Sequence, residues 1–234
     1  MFFPFYFDPT FIILIPAIIL ALYAQTKVQT TYSRYMRVPA RSGMTGADAA
    51  RELLRQNRVY DVKVERGNGR LSDHYDPRSK TLRLSPEVYG STSLAALGIA
   101  AHEVGHAFQH ANEYAPLRLR NAIVPIANIG STLAFPLLFL GLLLDSLNLV
   151  MIGIIAFSLA VLFQLITLPV EYNASNRAIA ALEAGGIIYR DEAGPTRKVL
   201  SAAALTYVAA TIMAVMQLLR LLLISGLLGG RRRR

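Results

Sequence analysis

Two uninterrupted apolar runs, Ile123 to Leu144 and Leu149 to Val170, stand back to back with only Asp145-Ser146-Leu147-Asn148 between them. At about 1.5 Å of rise per residue, each is long enough to cross a hydrocarbon core of about 30 Å. Backbone in lipid has no water to bond, so each run is expected to be a helix that satisfies its own N–H and C=O groups. So short a link turns the second helix straight back along the first. The expected unit is a transmembrane hairpin, which returns Glu171, the residue after the second run, to the face the chain left from.

Two further apolar runs flank this hairpin. Phe11 to Ala24 is short but reaches across a bilayer when the aromatic stretch from Phe2 to Phe7 is added, with Pro16 a candidate kink. No basic residue precedes that run and no small-residue cleavage site follows it, which predicts an anchor rather than a removed leader. Ala202 to Leu228 is interrupted by Gln217 and Arg220 and followed by a basic tail. It either crosses, with Arg220 snorkelling to the surface, or lies in the interface. Three to four transmembrane helices are expected.

The chain is not all membrane, because 17% of its residues are charged against 53% hydrophobic. Composition changes at Gln25, and a polar region follows. Thr45 reads as the N-cap of a helix through about Gln56, with Asp48 three residues on. Alternation from Val59 to Glu65, then Leu71 to Tyr75 and Thr81 to Leu84, with turns at Gly67 to Gly69 and Asp76 to Ser79, predicts a small antiparallel sheet. An exposed strand of such a sheet can accept an extended peptide by backbone pairing.

Just after this sheet, STSLAALGIAAHEVGHAFQH carries an H-E-x-x-H motif in an otherwise almost wholly apolar helix, and Leu94 to Ala101 before the motif is apolar on every side, hence buried. Residues four apart share a helix face, so His102 and His106 can offer two imidazole nitrogens to one metal ion, with Glu103 as general base. Two buried imidazoles and a carboxylate would cost several kcal/mol unsatisfied, and a divalent cation satisfies all three. The chain has no cysteine, so thiolate sites, disulfides and cysteine nucleophiles are excluded, and a metal here is held by histidine and carboxylate. The expected ion is Zn2+.

The hairpin supplies the third ligand, since Glu171 returns at the level of His106. The alternative reading makes Glu171 a helix-start carboxylate favoured by the macrodipole, at the head of a helix from Glu171 to about Ala184. His110 cannot fold back onto the same metal, because an unbroken helix carries it about 12 Å along the axis from His102. It reads as an outer or surface residue. His74 either stabilises a turn or lies near a developing oxyanion.

The formal net charge is +9, but the basic residues surround the apolar runs and form no nucleic-acid motif. The lipid bilayer is the expected partner, and nucleic acid is not. Lys27, Arg34, Arg37, Arg41, Arg118, Arg120, Arg177, Arg190, Arg197 and Lys198 lie on the catalytic side, whereas the N-terminus and hairpin tip have no basic residue. By the positive-inside rule the catalytic side is cytoplasmic. Arg231 to Arg234 contradict this if the last run crosses.

The runs LSDHYDPRSKTLRLSPEVYGSTSLAALGIAAHEVGHAFQH, TGADAAREL and PVEYNASNRAIAAL together resemble the YugP-type membrane zinc metallopeptidases of bacteria, over nearly the whole chain. That resemblance implies an integral-membrane, zinc-dependent endopeptidase of the bacterial cell membrane. More distantly, the layout is similar to HtpX-like gluzincin proteases, which pair H-E-x-x-H with a later Glu-x-x-x-Asp. Glu171 matches the glutamate, but Ser175 stands in place of the aspartate.

The expected fold is an α+β membrane protein, mainly α, with the small sheet beside a zincin-like helix. The expected divisions are 1–25 as anchor, 26–121 as catalytic region, 122–170 as hairpin, 171–198 as third-ligand helix and 199–234 as C-terminal helix and tail. The expected reaction is hydrolysis of peptide bonds in a polypeptide substrate, with Glu103 catalytic and His102, His106 and Glu171 on the metal. Two rivals use the same ligands: a membrane metal carrier, and an inactive protease-like scaffold. Carriers place ionisable residues inside their spans, and the hairpin runs contain none.

Overall fold

The computed structural model describes residues 9–69 and 72–227. The aromatic stretch Phe2 to Phe7, the strand start at Leu71 and the tail Arg231 to Arg234 lie outside them. A 3-10 helix, Pro9–Leu14, leads into α1 (Ile15–Tyr35); α2 (Gly46–Gln56), β1 (Lys63–Arg66), β2 (His74–Asp76) and β3 (Thr81–Leu84) follow. Next come α3 (Pro86–Tyr89), α4 (Leu94–Ala111), α5 (Ala115–Leu143), α6 (Leu147–Ala184) and α7 (Arg190–Ile224). Pro16 falls in the first turn of α1, where a missing N–H costs nothing, so it starts the α-helix rather than kinking it.

Among the described residues four helical segments are long and apolar enough to cross a membrane: Pro9–Tyr35, Ala115–Leu143, Leu147–Ala184 and Arg190–Ile224. Only 17% to 33% of each apolar window is buried inside the protein. The helices are longer than the apolar runs. In particular α6 is continuous through Pro169 to Ala184, so no separate helix begins at Glu171. Glu171 therefore cannot be a helix-start carboxylate stabilised by the dipole. The helix does end at Gly185-Gly186, where Gly186 takes a positive φ of 65°.

Contacts divide the chain into two units, one of Met1–Tyr23, Arg120–Ile166 and Tyr207–Arg234, the other of Ala24–Leu119 and Thr167–Thr206. In the first, Ala134, Phe157 and Val161 pack with Leu218 and Leu221, and Leu138, Val150 and Ile154 with Leu222. Helices of the hairpin come close at Gly130, where an added Cβ would meet Ala156 O at 2.7 Å.

The second unit holds the sheet and the motif helix. Thr45 caps α2 by accepting from the Asp48 N–H at 3.1 Å, and Ser93 caps α4 by accepting from the Ala96 N–H at 3.2 Å. Leu53, Leu82, Leu84, Leu97 and Leu182 are fully buried in one core. Each contributes roughly 1.5–3 kcal/mol of hydrophobic stabilisation.

The sheet corrects one expectation. Its order is β1-β3-β2, with β2 antiparallel to β3 but β1 parallel to it, so the sheet is mixed rather than wholly antiparallel. β3 carries the buried Leu82 and Leu84 and takes the centre, while charged β1 and β2 suit the edges. The Asp76 to Ser79 turn closes the β2–β3 hairpin, with Asp76 accepting from the Arg78 N–H and the Ser79 hydroxyl. β1 pairs with β3 and not with β2, so no hairpin joins β1 to β2.

Candidate active site

The motif helix α4 presents His102 and His106 on one face, their rings edge to face with centroids 4.8 Å apart. Glu171 comes from α6. Its Oε2 lies 3.2 Å from His102 Nε2 and 3.6 Å from His106 Nε2. One candidate ligand atom from each residue falls within 4.8 Å of the others. The three residues proposed as ligands from the sequence are thus brought together, around a carboxylate only 2% exposed.

Two helices reach this closeness because Gly105, between the histidines, has no side chain. A Cβ there would sit 2.5 Å from the backbone oxygen of Ala174, so α4 and α6 touch backbone to backbone. Glu171 is one helical turn from that contact.

An outer layer of hydrogen bonds holds the candidate ligands. Gln109 is fully buried, and its amide nitrogen donates to Val170 O at 2.8 Å and to Asn173 Oδ1 at 3.0 Å. The carbonyl Val170 O can only accept, so the Gln109 NH2 must face it and Oε1 must face the other way. Oε1 lies 3.0 Å from His106 Nδ1, which therefore carries the hydrogen. Arg177 Nε donates to the same Asn173 oxygen at 2.8 Å and extends the chain of bonds. On the other histidine, His102 Nδ1 lies 3.1 Å from Ser175 Oγ.

These bonds test whether a metal fits. With the hydrogen on Nδ1, neutral His106 turns the Nε2 lone pair toward a carboxylate oxygen. Two acceptors do not bond each other, so the cluster calls for a proton or a cation. Burial works against a charged His106, but its hydrogen bond with Glu171, with the charges of Glu103 and Glu171, outweighs burial and raises its pKa. Two imidazoles and one carboxylate, each imidazole with its second nitrogen engaged, form a donor set that suits zinc.

Glu103 is partly buried, and its negative charge acts on His106 and on Asp73. Asp73 leads into β2. Burial pushes its carboxyl up, hydrogen bonds from the Ser85 N–H and hydroxyl oppose this, and the Glu103 charge adds to the rise. His110 stays out of the cluster, with Nδ1 2.8 Å from Tyr75 Oη. His74 is exposed and its Nδ1 meets Ser72 O at 2.7 Å, a turn contact.

Sequence reasoning missed Gln109 and Asn173. Gln109 had a signal, because it lies three residues after His106 and seven after His102, on the ligand face of an apolar helix. Asn173 had none, since its role depends on the approach of α6.

Residues 10–226 match the family described as "Putative neutral zinc metallopeptidase". The chain is also 52% identical over 211 residues, 90% of its length and 93% of the relative's, to the "Putative membrane protease YugP" of Bacillus subtilis (strain 168). No solved structure matches it. With the family match spanning almost all of the chain, and a His-His-Glu cluster that could hold a metal ion, this protein belongs to that zinc metallopeptidase family.

Proposed function

We propose that this chain is an integral-membrane, zinc-dependent endopeptidase of the gluzincin type, with His102, His106 and Glu171 as metal ligands and Glu103 as general base. The observation that carries the reading is the convergence of three donor atoms whose imidazoles are each held at the second nitrogen. A zinc ion held by His102, His106 and Glu171 would supply Lewis acidity toward the scissile carbonyl and the attacking water. Glu103 takes a proton from the attacking water onto its carboxylate and returns it to the leaving amine nitrogen. Gln109 and Ser175 orient the two imidazoles.

The polypeptide substrate adds to β2, an edge strand packed against α4 with Tyr75 bonded to His110. The four apolar helices support an integral-membrane location, and the printed name of the relative agrees with it. The basic residues after α1 and at the start of α7 support a cytoplasmic catalytic side in a bacterial cell membrane.

Metal content and cleavage of an unfolded test protein, compared between the wild type and Glu103→Gln, test the reading. The variant should keep zinc and lose about 10²–10⁴ in cleavage rate. Equal cleavage rules the mechanism out. A wild type that binds zinc and cleaves nothing favours a carrier or an inactive scaffold.

A further inference from the structure

We propose that a groove between the C-terminal half of α1 and the first turns of α7 holds the phosphate headgroup of an anionic phospholipid. This rests on the integral-membrane reading, though not on the protease reading. The groove has a volume of about 640 Å³ and is lined by Lys27 and Arg34 from α1 and by Arg197 and Lys198 from α7. Among the described residues no acidic side chain lines it.

These four cations share one groove that offers them no carboxylate, whereas several basic residues elsewhere are ion-paired. Arg41, Arg51, Arg55, Lys80, Arg83 and Arg118 each pair with a carboxylate. Among the described residues Lys27, Arg34, Arg197 and Lys198 form no ion pair with a carboxylate, and all four are exposed. Like charges gathered along one groove repel, and an anion between the two helices relieves that repulsion. A phosphate diester with its strong acceptor oxygens suits both ammonium and guanidinium donors.

Position selects a lipid over free phosphate. The apolar run of α1 ends at Ala24, three residues before Lys27, and the apolar run of α7 begins at Ala202. Ala202 and Leu205 line the same groove as the cations. A headgroup among the basic side chains therefore finds an apolar wall for its acyl chain, which inorganic phosphate does not need. Basic residues beside a span attract anionic headgroups in general; two facing helices make a site of that attraction.

The test uses the full chain, purified in a neutral detergent, and measures binding of dioleoyl phosphatidylglycerol against dioleoyl phosphatidylcholine. The wild type should prefer phosphatidylglycerol. Lys27→Gln with Arg197→Gln should weaken that binding roughly tenfold or more, since each juxtamembrane cation accounts for about a fivefold change. Lys27→Arg with Arg197→Lys should retain it, as should Arg51→Gln with Arg55→Gln, which removes equal charge elsewhere. Inorganic phosphate should not displace the lipid, and Glu103→Gln should bind it like the wild type. Unchanged binding in the groove variant overturns the proposal, as does equal loss in the Arg51/Arg55 control. Displacement by inorganic phosphate overturns the lipid assignment. A wild type that dimerises through these residues without headgroup preference overturns it too. Failure of the membrane reading looks different: the chain would stay soluble without detergent and bind neither lipid.

Discussion

Gln109 joins the two helices that carry the candidate ligands: its carbonyl oxygen lies 3.0 Å from His106 Nδ1, and its amide nitrogen donates to Val170 O, next to Glu171. One buried side chain thus sets the tautomer of a histidine on α4 and ties that histidine to α6. Removing it releases both.

Gln109→Leu keeps the volume and deletes the bonds, freeing the His106 ring to change tautomer. Metal affinity should fall about 10–100-fold, read by competition with a chromophoric chelator. Unchanged affinity would mean that packing alone orients His106.

Ser175 offers His102 Nδ1 a neutral hydroxyl. Ser175→Asp supplies an anionic acceptor, which raises the basicity of the ligating nitrogen and should tighten metal binding. Ser175→Ala should loosen it, within about the same 10–100-fold span. If the two variants shift chelator competition in the same direction, the hydroxyl does not act through His102.

Gly105→Ala puts a methyl group against Ala174 O, at a backbone contact that cannot yield like a side chain. Overpacking of this kind costs about 1–3 kcal/mol. Thermal unfolding should show that loss in metal-free protein, with a further loss of metal affinity as Glu171 moves from the histidines. A variant as stable as the wild type would show that the helices separate freely.

The chain has no cysteine, so Ser72→Cys gives a single labelling site beside β2. In intact cells a membrane-impermeant maleimide should leave it unlabelled, and it should react once the membrane is opened. Labelling from outside would reverse the assigned orientation.

The amino-acid sequence by itself determined whatever depends on neighbours along the chain. Thr45 and Ser93 cap their helices with bonds to residues three away, and each apolar run coincides for most of its length with a helix long enough to cross a membrane. His102 and His106 share a face because four residues make about one turn. Glu171 was legible for a related reason, since a short link sends the second helix back along the first.

Only the tertiary structure decided the rest, because it depends on groups far apart in the chain. The mixed sheet follows from which strand can be buried on the core, and Leu82 and Leu84 gave β3 the centre between two charged strands. Alternation along Val59 to Glu65 reports a strand but not its partner or direction. Asn173 acquires its role from α6 lying against α4, and that approach depends on a missing Cβ at Gly105 meeting a backbone oxygen on Ala174. Hydrogen bonds and steric limits between distant residues leave no period in a sequence, so they emerge only when the helices pack.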